Sequence, residues 1–176
     1  MGRLANELKR LNLEENTIVV LTSDHGDLMG EHRKHNKGIP FEASAKVAFL
    51  WKQPKAVPAG KVIHSVMTSI DFGPTLFSMI GIEDESFNAQ GRDLSAIFKN
   101  QNMNIQGEEI AYIRATTMHP GWVAAVSDSY KLIISDMDNP WLYDLKKDPN
   151  ELVNFYEDAT YGEIRERFTR ALGRFM

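Results

Sequence analysis

Leucines recur at helical spacing at the start of the chain. Leu4, Leu8 and Leu11 stand among Arg3, Glu7, Lys9 and Arg10, which predicts an amphipathic helix ending near Asn12. Residues 17–22, Thr-Ile-Val-Val-Leu-Thr, are rich in β-branched side chains and show no polar alternation. Such a run predicts a strand buried on both faces of a parallel sheet. A second apolar run at residues 47–51 predicts another central strand. Pro54, Pro58 and Gly60 mark a loop after it. A helix is expected from Ser69 or Asp71 to Gly81, with Asp71 and Pro74 suited to its first turns and Gly81 to its stop. A shorter helix is expected over 94–98.

The pattern changes after about residue 106. Residues 110–115, 122–126, 130–135 and 141–145 are short and β-like, with Asp128-Ser129 and Asp138-Asn139-Pro140 as turns between them. They predict a small antiparallel sheet. Ile164, Phe168 and Leu172 then fall on one face of a closing helix over 161–175. The expected fold class is therefore α/β. A helix-and-strand portion occupies residues 1–106, and a small α+β subdomain of antiparallel sheet and C-terminal helix occupies 107–176.

Composition narrows the function classes. The chain has 176 residues and 43% hydrophobic content, enough for a folded core. It holds 20 Lys+Arg against 24 Asp+Glu, which gives no general attraction to nucleic acid or to an anionic membrane. The imbalance sits in the second part: residues 1–106 carry 12 basic and 12 acidic side chains, residues 107–176 carry 8 and 12. No apolar stretch reaches the roughly 18 residues of a membrane span. There is no cysteine, so thiolate chemistry and disulfides are excluded from this chain.

The candidate chemistry follows the first strand. Thr22-Ser23-Asp24-His25-Gly26-Asp27 places a carboxylate and an imidazole side by side where ligands gather in open α/β sheets. Together they suit a divalent cation. The same residues also fit a plain turn, with Asp24 capping it and His25 packed. Adjacent strand residues face opposite ways, so a shared ion requires the strand to have ended, and Gly26 eases such a bend. Lys37, in the Gly/Pro-flanked stretch Asn36-Lys37-Gly38-Ile39-Pro40, can bring an ammonium onto an anion or simply be solvated. His32 and His35 stand three apart, but Arg33 and Lys34 oppose a cation there.

Residues 23–32, Ser-Asp-His-Gly-Asp-Leu-Met-Gly-Glu-His, followed by Lys37-Gly38, Phe41-Glu42, Ser44 and Val47, resemble the C-terminal half of a formylglycine-dependent sulfatase. This is the arylsulfatase family of the alkaline-phosphatase superfamily. Asp71-Phe72-Gly73-Pro74-Thr75-Leu76, Gly91-Arg92-Asp93-Leu94, Tyr130-Lys131-Leu132-Ile133 and Leu142-Tyr143-Asp144-Leu145 with Asp148-Pro149, Glu151 and Asn154 continue the likeness in order. The resemblance implies an α/β core portion followed by the family's C-terminal subdomain. It implies that Asp24 and His25 are metal ligands, usually for calcium, with His also admitting other divalent ions. It implies that Lys37 contacts the sulfate or the leaving-group oxygen of a sulfate ester.

The family's nucleophile, made in a Cys- or Ser-x-Pro-x-Arg motif, has no counterpart in these residues. Its first acidic ligands belong to an N-terminal half that the match does not include. The chain alone is thus expected not to turn over a sulfate ester. Two alternatives stand beside this reading. One is a phosphodiester or phosphonate monoester hydrolase of the same superfamily. The other is a non-catalytic remnant that binds an anion or a partner chain, with a strand edge and apolar helix faces that invite pairing, self-association included.

Overall fold

The computed structural model describes residues 2–82, 88–99, 109–115 and 121–175. In chain order the elements are α1 (Gly2–Arg10), β1 (Val19–Leu21), α2 (Glu42–Ala45), β2 (Leu50–Lys52), α3 (Ser69–Ile80), α4 (Ser95–Lys99), β3 (Ala111–Arg114), β4 (Trp122–Val126), β5 (Tyr130–Ser135), β6 (Trp141–Asp144) and α5 (Gly162–Phe175). They fall into two compact units interleaved along the chain. The first takes Met1–Ser23, Ala48–Ile63 and Ser69–Ile105; the second takes Asp24–Val47, His64–Thr68 and Gln106–Met176. The segment carrying Asp24, His25 and Lys37 belongs to the second unit.

In the first unit, α3 forms where expected. Asp71, Thr75 and Met79 recur every four residues and are buried, and Gly81 ends the helix with a φ of 73°. Asp71 is more than a first-turn residue. Its buried carboxylate accepts from the Arg92 backbone N–H at 2.7 Å and from the Arg92 guanidinium at 2.8 Å. Asp93 accepts the Ser95 N–H at 2.8 Å and so starts α4. Trp51 packs edge-on against Phe98 and Phe72 at 5.3 and 6.0 Å between ring centroids.

The two apolar strands correct the sequence expectation. β1 pairs with β2 antiparallel, not parallel, with Val20 opposite Trp51. Neither strand is buried on both faces, and Leu50 is 61% exposed. A parallel partner needs a crossover that returns along the sheet. Here residues 24–47 fold into the second unit instead, and the chain comes back in the opposite direction. The first helix forms as expected, but α1 buries none of its residues.

The second unit is built on the meander β3-β4-β5-β6, antiparallel throughout. Side chains alternate across it as a period of two demands. On one face Ala125, Leu132 and Leu142 pack against Phe168 and Leu172 of α5. On the other, Ala124, Val126, Ile133 and Tyr143 pack against Leu28 and Phe41. One face is therefore roofed by the C-terminal helix and the other by the segment that carries the candidate site. His119-Pro120-Gly121-Trp122 reads in the sequence as a turn feeding a strand, and its first two residues lie outside the described residues. Among the described residues, no helix is long and apolar enough to cross a membrane.

Candidate functional site

β1 ends at Leu21, and Asp24 and His25 follow in a turn. The strand has stopped, so neighbouring side chains can face the same way. The Asp24 Oδ2 and His25 Nε2 atoms lie 3.3 Å apart. His25 Nδ1 stands 2.7 Å from the Gly26 carbonyl oxygen. A carbonyl only accepts, so Nδ1 carries a proton, and in the neutral ring Nε2 then presents its lone pair. Two acceptors thus converge on one point. The spacing suits a shared cation: donors at about 2.3–2.6 Å with a right-angle bite stand about 3.3–3.7 Å from each other. A backbone carbonyl fixing the imidazole tautomer is the usual support for a ligating histidine. Asp24 is 84% exposed, so the carboxylate is open to further partners. Among the described residues, no group of three or more His, Asp or Glu side chains could hold a metal ion by itself. Asp24 and His25 therefore fit as two ligands of a larger set.

Gly26 serves a purpose the sequence did not show. Its φ is not in the left-handed region. A Cβ there would sit 2.0 Å from the Ala43 carbonyl oxygen, so the backbone of α2 runs directly against it. The Gly26 N–H donates to the Ser44 carbonyl at 2.9 Å.

The next segment is wound tightly. Met29, His32, Arg33 and Asn36 all have φ between 44° and 72°. Left-handed non-glycine residues persist only where their surroundings over-determine them. Here Leu28 is buried beneath them, its N–H donates to the Asn36 carbonyl at 2.9 Å, and the Gly30 N–H donates to the Lys34 carbonyl at 3.0 Å. The His32 ring stacks flat on Phe41, with centroids 3.7 Å apart. His32 is thus packed on the loop, and among the described residues neither His32 nor His35 belongs to a group of three or more His, Asp or Glu that could hold a metal ion.

Lys37 is exposed, and its ammonium makes no ion pair among the described residues; the same holds for Arg33 and Lys34. Gly38 turns the chain with a φ of 92°. Its N–H donates to Ser44 Oγ at 3.2 Å, and its carbonyl accepts from Trp122 Nε1 at 3.1 Å. The structure therefore brings Asp24 and His25 into contact, and it ties Lys37 to them indirectly. Ser44 bonds Gly26, next to His25, and Gly38, next to Lys37.

Glu42 begins α2. Burial raises its carboxyl, but attraction to and hydrogen bonding with Lys131, helped by Lys46, outweigh this and hold it below the ordinary carboxylate value. Sequence reasoning assigned no role to Ser44, Lys131 or Glu151. One signal was present for Lys131: it stands two residues before Ile133, on the inward side of an apolar strand.

The family described as N-sulphoglucosamine sulphohydrolase, C-terminal, matches residues 30–176. An N-acetylglucosamine-6-O-sulfatase of Bacteroides thetaiotaomicron is 29% identical over 183 residues, covering 98% of this chain and 32% of that protein. A solved structure described as BT4656 in complex with its substrate D-glucosamine-2-N,6-O-disulfate superposes with a TM-score of 0.88 at 28% identity, over 99% of this chain and 37% of that one. A phosphonate monoester hydrolase of Agrobacterium radiobacter shares the fold, with a TM-score of 0.78 at 24% identity over 97% of this chain and 37% of that one. The chain spans about a third of the length of the curated relatives it matches. It belongs to the sulfatase family of the alkaline-phosphatase superfamily and corresponds to the C-terminal part of its members.

Proposed function

We propose that this chain is the part of a sulfuric ester hydrolase that supplies Asp24 and His25 to a divalent cation, calcium first among candidates, and Lys37 to the sulfate. The convergence of Asp24 Oδ2 and His25 Nε2 at 3.3 Å carries the reading. When bound, such a cation stabilises negative charge on the ester and on the departing oxygen. This chain's residues do the rest of what falls to it. Asp24 and His25 present fixed acceptors, one oriented by the Gly26 carbonyl. Lys37 offers an unpaired ammonium to the ester oxygens as the S–O bond lengthens, worth about 3–4 kcal/mol for a preorganised donor. Arg33 and Lys34, also unpaired, add positive charge near an anionic ester.

With no Cys and no Ser-x-Pro-x-Arg, the isolated chain is proposed to bind without turnover. Sulfated amino sugars are the substrates to try first, because the relatives' names carry them. Phosphonate and phosphodiester substrates serve as the contrast, given the shared fold. Exposed Leu21 and Leu50 favour a second property, self-association through the first unit. Sedimentation at rising concentration checks it.

The test of the site is paramagnetic broadening by Mn2+ in nuclear magnetic resonance of the chain. Broadening centred on Asp24 and His25, and lost in Asp24→Ala, is expected. Broadening that is centred elsewhere, or that survives the substitution, overturns the assignment.

A further inference from the structure

A lysine with no exposed surface lies under the site segment. Lys131 is 0% exposed, on the inward face of β5. Its ammonium has three N–H donors and three partners: Glu42 Oε1 at 2.6 Å, Glu151 Oε1 at 2.8 Å and the Pro40 carbonyl at 2.9 Å. The second oxygen of Glu151 accepts the Glu42 backbone N–H at 2.6 Å. Glu151 is itself buried and holds a φ of 54°. Lys131 and Glu151 come from the small sheet and the loop after it; Pro40 and Glu42 are the lead-in to α2 and its first residue.

A buried cation with two carboxylates is a poor way to gain stability. What it does give is register, since each partner must stand at its own atom. Here the partners at Pro40 and Glu42 are the lead-in and first residue of α2. The far side of that helical turn holds the two site turns. Ser44, 4% exposed, bonds Gly26 through its carbonyl and Gly38 through its hydroxyl.

We infer that the Lys131–Glu151–Glu42 cluster and Ser44 form a positioning device: the C-terminal sheet fixes α2, and α2 fixes the Asp24–His25 turn and the Lys37 turn with respect to each other. Lys131, Glu151, Glu42 and Ser44 are positioning residues and touch no substrate. The inference rests on the reading of Asp24, His25 and Lys37 as the site. It gives the small sheet, far along the sequence from these residues, an indirect part in the chemistry through the position of α2.

Amide hydrogen exchange on the full chain tests the device without reference to sulfate. Two variants are compared: Ser44→Ala, and Lys131→Met with Glu151→Met, which removes the ion pair while keeping volume. Ser44→Ala removes the hydroxyl that Gly38 uses but keeps the carbonyl that Gly26 uses, so it is expected to speed exchange at Gly38 by about tenfold or more, and the double variant is expected to do so at both Gly26 and Gly38, with Leu132 and Ala125 in the sheet unchanged within about twofold. Unchanged exchange at Gly26 and Gly38, or an equal rise through the sheet, overturns the inference. A second readout separates positioning from stability. Ser44→Ala touches neither His25 nor Lys37, yet it is expected to weaken the shift of Lys37 signals by inorganic sulfate, and the Lys131→Met, Glu151→Met variant is expected to weaken Mn2+ broadening at His25. Retention of both at wild-type strength also overturns the inference. A wild-type chain that shows neither response counts against the reading of the site, while exchange at Gly26 and Gly38 still decides the device.

Discussion

A Cβ on Gly26 would stand 2.0 Å from the Ala43 carbonyl oxygen, and the Gly26 N–H already donates to the next carbonyl along, that of Ser44. The turn that presents His25 and the helical turn α2 are thus in backbone contact. Gly26→Ala is predicted to force them apart. Overpacking of this kind costs about 1–3 kcal/mol. Urea unfolding should show the loss, and the His25 ring signals should shift. Wild-type stability with unshifted signals would refute the contact.

Lys131→Met alone leaves the buried Glu151 without a counter-charge, while the part-exposed Glu42 keeps Lys46 at 3.4 Å. Removing one partner of a buried pair costs about 3–5 kcal/mol. The variant with Glu151→Met added removes the orphaned charge as well and is predicted to regain at least half of that loss. Denaturant midpoints of wild type, single and double variants check this. A double variant no more stable than the single would contradict it.

The cluster also predicts an acid response. Burial raises the Glu42 carboxyl, but Lys131 and Lys46 pull it to a net value below the ordinary 4.5. A carboxyl depressed in the folded state contributes stability that is full above the ordinary value and is lost as pH falls through the folded value. Below pH 4.5 the wild type should therefore lose stability relative to Glu42→Gln, which cannot titrate there. Parallel stability curves for the two proteins across that range would count against the ion pairing.

Lys37 is exposed and makes no ion pair among the described residues, so its removal should leave the fold alone. Lys37→Ala is predicted to keep the unfolding midpoint within about 0.5 kcal/mol of wild type, as for surface substitutions away from special features. It should abolish the sulfate-induced shift of neighbouring Gly38. A sulfate response that persists in the variant would remove Lys37 from the site.

Much of this fold was legible in the residues. α3 was readable because Asp71, Pro74 and Gly81 punctuate an apolar stripe, and the four strands of the meander because polar turns separate them. The direction of β1 and β2 was not readable. An unbroken apolar run records a demand for burial, but it says nothing of which way its partner runs, and residues 24–47 leave that unit altogether. At the site, Asp24, His25 and Lys37 were found through a sulfatase likeness rather than through periodicity. Ser44 carries no pattern signal, since one helical turn is too short for one. Gly26 looked like a bend residue and is instead a close-approach residue. Lys131 breaks the apolar alternation of β5, and only the structure shows the two carboxylates that make this tolerable.

Residues 1–176 grafted as the C-terminal part of the Bacteroides thetaiotaomicron N-acetylglucosamine-6-O-sulfatase, in place of the matching third, test the central claim most directly through sulfate release from a sulfated glucosamine. The account predicts release that exceeds cleavage of a phosphonate monoester, and that Asp24→Ala and Lys37→Ala each lower by about 100- to 1000-fold. Turnover that survives both substitutions, in a graft that folds and cleaves sulfate, would contradict it.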